Sequence, residues 1–237
     1  MLLQIEPTRL FLIFGIGAIL IIFFSFMSYR ILSYKKARLN IYISMFFIFI
    51  LIGAVLNIFY AIIQIEPIPL ILHLITNYVV SFALIFLLVA NYIIIKSEMR
   101  FTTKHQMKVI LRYAIMLTLM VIFVPFGQVE LNAGTNWRPV WGIFYFLYIS
   151  IVVVIFAVIP TLISSIKILR EFSKGEAKSK YAFFIIGTFG EYSYLFSAFL
   201  NNFLDNDAFR QFASIYALSI ILWCFLVYYG IGRQLKE

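Results

Sequence analysis

The chain predicts an all-α fold, a polytopic membrane protein built as a bundle of seven transmembrane helices. Three observations carry this expectation. The chain is 64% hydrophobic and only 12% charged, with a mean hydropathy of +1.01, whereas a soluble domain is about 45–50% apolar and about 25% charged. Its apolar residues gather into long runs, each near or above the ~20 residues that a helix needs to cross a ~30 Å hydrocarbon core. Its basic residues fall almost entirely in every second loop between those runs. Phe and Tyr, 27 and 15 residues, suit lipid-facing and interfacial positions.

The expected spans are 8–32, 39–63, 68–95, 109–126, 140–166, 181–203 and 209–231. A backbone in lipid must satisfy its own polar groups, and the period-two alternation of a barrel strand is absent, so the spans read as helices. The first is followed by Arg30, Lys35, Lys36 and Arg38 and by no small-residue cleavage site, so it reads as an uncleaved span. Basic residues follow spans 1, 3 and 5, with Lys96, Arg100, Lys104, Lys108 and Arg112 after the third. Arg233 and Lys236 close the chain, while the opposite loops hold only Arg9, Arg138 and Arg210. The basic side is expected in the cytoplasm, which puts the N-terminus outside and the C-terminus inside. An odd number of spans agrees with that, and the expected location is the cell membrane, as a multi-pass protein.

This distribution also explains the net charge of +9, so nucleic acid is not an expected partner. The expected partners are the lipid bilayer and a cytoplasmic or membrane signalling protein. A lone cysteine, Cys224, rules out an intrachain disulfide, and no Cys/His spacing fits zinc, so neither a metal nor another cofactor is expected. No zincin, paired-aspartate or phosphate-loop motif is present. Span 7 has no lysine for a retinal Schiff base. No catalytic motif remains, and the chain does not read as an enzyme.

The chemistry sits on polar residues within the spans. Glu191 lies roughly 16 Å along a helix from Lys180 at about 1.5 Å per residue, near mid-membrane. An acid at that depth is costly and is expected to face protein or water. Ligand contact, proton-titrating switch and hydrogen-bonded structural acid are all open to it. It shares a face with Gly187, Tyr194, Ala198, Asn201 and Asn202. On span 3, His73, Asn77 and Asn91 share a face, with Thr76 and Ser81 near its edges. His73 reads more readily as a satisfied interfacial residue than as a metal ligand. Span 2 contributes Gly53, Asn57, Tyr60 and Gln64, and span 7 Arg210, Ser214, Ala217 and Cys224. Arg210 reads as an interfacial cation that pairs with Asp205, Asp207 or an anionic ligand. Pro125 is expected to help end span 4, and Pro160 to kink span 5. Trp137 and Trp141 fall at the expected headgroup level. Together these predict an outward-opening wet pocket between spans 2, 3, 6 and 7, with Glu191 at its floor. Its ligand residues are Glu191, Tyr194, His73, Asn77, Asn57, Tyr60, Asn201 and Arg210.

Two stretches resemble the N-terminal seven-helix region of prokaryotic sensor histidine kinases. One is Phe86-Leu-Leu-Val-Ala-Asn-Tyr92, running into a basic loop. The other is Pro139-Val-Trp-Gly-Ile-Phe-Tyr-Phe-Leu-Tyr148, continuing to Leu169-Arg-Glu-Phe172 and Ile186-Gly187. The likeness covers about half of the chain. It implies an extracellular or membrane-phase sensor that passes a signal inward through helices 5 to 7, and the expected function is a stand-alone receptor or sensor module for a small or lipidic ligand. With no kinase domain in the chain, a separate partner is expected to dock on the inner loop at Lys167, Arg170, Lys174, Lys178 and Lys180. A proton- or cation-coupled transporter or channel subunit using Glu191, and a structural subunit of a membrane complex, are the alternatives.

Overall fold

The structure, a computed structural model, describes residues 11–33, 37–172 and 175–232. Seven of its helices are long and apolar enough to cross a membrane. We call them α1 (Phe14–Leu32), α2 (Arg38–Ile62), α3 (Ile68–Lys96), α4 (Thr103–Phe126), α5 (Ile143–Glu171), α6 (Glu176–Leu204) and α7 (Asp207–Ile231). The fold is that of a multi-pass membrane bundle. Thr8, Arg9, Leu10, Lys35, Lys36, Lys174, Arg233 and Lys236, which bear on the expected spans and charge pattern, lie outside the described residues.

α3 is the centre of the bundle. Every side chain at positions 81–91 is buried, and α2, α4 and α5 all pack against it. Its longest seam is with α2, where Gly53 lets the helices close up: a Cβ there would sit 2.3 Å from Cγ2 of Val80. α1 lies along α2 through Phe24, Met27 and Ile31, and turns Ile22, Phe26 and Tyr29 outward. Exposed isoleucines and phenylalanines on every long helix mark the lipid-facing surface.

Several helices outrun the apolar stretches. α4 starts at Thr103 rather than 109, because its polar first turns are held by Gln106, which accepts from the Tyr42 hydroxyl at 2.8 Å and donates to the Phe101 carbonyl at 2.7 Å. α6 starts at Glu176 rather than 181, with Glu176 paired to Lys180 at 2.6 Å. α5 begins later than expected, at Ile143, since Val140 and Trp141 form a strand.

That strand, β2 (Val140–Trp141), pairs antiparallel with β1 (Val129–Glu130) in a small hairpin between α4 and α5. α4 tightens into a 3-10 turn at Leu119–Phe126, which contains Pro125, and stops at Gly127 in the left-handed conformation. The hairpin is tied across to the α6–α7 turn, since Arg138 donates to Asp207 at 2.8 Å and Arg210 donates to the Pro139 carbonyl at 3.1 Å. We call this the hairpin end of the bundle, and the opposite one the basic end. α5 is interrupted by a π-helical turn, Val154–Val158, directly before Pro160. Proline has no N–H and crowds the carbonyl four residues earlier. Here the Ile159 N–H reaches back five residues to the Val154 carbonyl.

Candidate ligand cavity

At the hairpin end, α1, α2, α3, α6 and α7 enclose a cavity of about 310 Å³. Of the residues expected to contact a ligand, Asn57, Tyr60, His73, Asn77, Tyr194 and Asn201 all line it. Thr76, Asn202 and Ser214 complete its polar inventory, and no lysine, arginine, aspartate or glutamate is among the described lining residues.

His73 is the best-defined polar group. It is 2% exposed, and its Nε2 receives the Trp141 indole N–H at 3.0 Å and lies 2.9 Å from Nδ2 of Asn77. An indole nitrogen only donates, so Nε2 is the acceptor and Nδ1 carries the proton of the neutral ring. Nδ1 is buried without a hydrogen-bond partner, and so is Oδ1 of Asn201. The Tyr60 ring meets the imidazole edge-on, with centroids 5.3 Å apart. Trp141 is not at a headgroup surface as expected. It is 2% exposed, because β2 turns it inward against His73, Tyr145 and Phe199.

The expected floor is a different one. Glu191 does not line the cavity. It is 3% exposed in the seam between α6 and α7, where its Oε1 accepts the Cys224 thiol at 2.8 Å. Gly187 and Gly190 draw α7 against this face of α6, so the carboxylate is covered by the helix that they admit. Arg210 is not a lining residue either. Its guanidinium turns to Asp205 at 2.7 Å and to the Pro139 carbonyl. The floor is apolar, made by Phe24, Ile50, Val80, Leu195 and Ile220. The wall contributed by α1 (Ile16, Gly17, Leu20, Phe24) was not expected from the sequence. α1 carries no polar residue at that depth that would mark it.

Nearer the basic end, a second polar group joins three helices. The Asn91 amide donates to Oγ of Ser165 at 2.7 Å and to Oγ of Ser164 at 3.2 Å, and its oxygen accepts from the Tyr181 hydroxyl at 3.0 Å. Of the inner-loop set, Lys167 and Arg170 are exposed and Lys178 is half-buried, while Lys180 pairs with Glu176. Among the described residues no group of His, Cys, Asp or Glu is placed to hold a metal ion. No protein-family model, curated protein or solved structure matches the chain. The likeness to sensor-kinase membrane regions rests on its motifs alone.

Proposed function

We propose that this protein is a receptor or sensor module of the cell membrane, with the hairpin end outside. It binds a small or lipidic ligand in the cavity and signals through its basic loops to a separate partner. The observation that carries the reading is the cavity itself: a partly open space with converging neutral polar groups is the ordinary form of a ligand site. α6 supports the inward step. The same helix holds Tyr194 and Asn201 at the cavity and Tyr181 at the Asn91 network. That network grips α5 at Ser164 and Ser165, just past the π turn and Pro160. A ligand that displaces α6 would therefore shift the basic ends of α5 and α6, where Lys167, Arg170, Lys174, Lys178 and Lys180 would meet the partner.

The test is a distance measurement in lipid nanodiscs between spin labels at Lys104→Cys and Lys178→Cys, with and without a saturating neutral amphiphile such as decanamide. A receptor gives a shifted distance distribution and no ion flux in proteoliposomes. An unchanged distribution overturns the reading. Proton or cation flux that disappears in Glu191→Gln would instead make the protein a transporter.

A further inference from the structure

The cavity is graded along the membrane normal, and the grading specifies a ligand class. Its polar residues cluster toward the hairpin end, where α2 and α6 finish and α3 begins: Asn57, Tyr60, His73, Asn77 and Asn201. Below them the lining is mostly apolar, with Tyr194 the polar exception. Val80 is seven positions beyond His73 on α3, roughly 10 Å at about 1.5 Å per residue. Leu195 is six positions below Asn201 on α6, and Phe24 and Ile50 stand at a similar depth on α1 and α2. Polar mouth and apolar floor are stacked in the order in which a lipid-like molecule presents its head and chain.

The mouth also states which head it takes. His73 keeps a buried Nδ1–H and Asn201 a buried carbonyl oxygen, each without a hydrogen-bond partner, so a side-chain rotation toward the cavity would bring either one to a head group. The complement is a group that both accepts and donates, such as a hydroxyl or a primary or secondary amide. An ionic head finds no counter-charge in the described lining. Glu191 is turned into Cys224 and Arg210 into Asp205. An ion stripped of water there has nothing to repay its desolvation. The space also limits size, since about 310 Å³ is near the lower end of small-molecule sites. α1 packs on α2 and has no comparable seam with α7.

Resting on the receptor reading, we infer that the ligand is an uncharged single-chain amphiphile, its hydroxyl or amide head held by His73 and Asn201 and its chain pointing into the floor between Phe24, Ile50, Val80 and Leu195. The experiment is saturable binding of radiolabelled decanamide to the full chain in phosphatidylcholine nanodiscs, competed by decanol, decanoate, decyltrimethylammonium and decane. Decanol is expected to compete within about tenfold of decanamide, because it keeps both hydrogen bonds. The two ions are expected to be at least about a hundredfold weaker, because a charge there is desolvated without a partner. Asn201→Leu is expected to weaken decanamide about tenfold while leaving the competition by decane unchanged. Should thermal unfolding show that this variant does not fold, Asn201→Ala removes the same acceptor without added bulk. If ions compete as well as decanol, or loss of the Asn201 acceptor costs nothing, the ligand assignment is wrong and the receptor reading stands. If no member of the series binds saturably, both fall.

Discussion

Gly187 shows how little room separates two of these helices. A Cβ at that position would lie 2.6 Å from the Trp223 carbonyl oxygen and 2.7 Å from the Val227 nitrogen, both backbone atoms of α7. Backbone cannot swing aside as a side chain can. Gly187→Ala is therefore expected to cost about 1–3 kcal/mol, measured by unfolding in mixed micelles. Asn91→Leu is expected to cost about 1–3 kcal/mol as well, because it strands Ser165 and the Tyr181 hydroxyl in a dry interior. At the hairpin end the two arginines differ. Arg138 is half-buried and Asp207 is exposed, so their pair is largely open to water and Arg138→Met should cost about 0–1 kcal/mol. Arg210, with its side chain 13% exposed and holding two oxygens, should cost more, about 1–3 kcal/mol in Arg210→Met. Single residues were legible in the sequence by face but not by neighbour. Glu191 and Asn201 share a helical face, yet one turns to Cys224 and the other to the cavity. Spacing along a helix says which residues lie together and not which partner covers them. Trp141 was misplaced for a related reason: a tryptophan beside a turn reads as interfacial until the strand that turns it inward is known.

The helices themselves were the most legible feature, since an apolar run longer than a bilayer is thick belongs almost nowhere but in lipid. Their ends were not. Hydropathy marks where lipid stops, whereas a helix continues into water as long as its turns are held, as Gln106 holds α4 and Glu176 holds α6. Just before Pro160, where a kink was expected, the helix carries the π turn Val154–Val158. A single π turn absorbs one extra residue while leaving the helical faces on either side in register. Deleting Ile155, which is exposed within that turn, is therefore expected to be tolerated. Deleting Leu147, in regular helix, rotates everything beyond it by about 100° and carries Ser164 and Ser165 away from Asn91. The yield and thermal midpoint of the two deletions in detergent measure the contrast. Equal loss in both would mean that the turn does not serve as a register buffer.

For the whole molecule, the charge pattern makes a prediction that the bundle geometry leaves open. Cys224 is fully buried, so the native thiol should stay silent to an aqueous maleimide. Asn136→Cys, at the tip of the hairpin, should be labelled by an impermeant reagent added to intact cells, and Lys178→Cys only after lysis. The reverse pattern would invert the orientation and place the cavity on the cytoplasmic side. The bundle could be anticipated because each span announces itself, whereas the cavity depends on five helices meeting, which no single stretch records. α1 supplies a wall without a polar residue to advertise it.

α3 is hydrophobic enough to dissolve in lipid on its own, yet through its middle it touches only protein. Exchanging acyl chains for Leu and Ile side chains frees no water, so its enclosure draws little on the force that collapses soluble proteins. What gathers the neighbours around it must be shape and a few directional bonds, such as that from the Tyr113 hydroxyl to the Ser81 carbonyl at 2.9 Å. Biogenesis then divides into two separable events. A mutant stripped of those bonds should still thread the bilayer seven times, correctly oriented, and persist as a slack string of helices that never condenses.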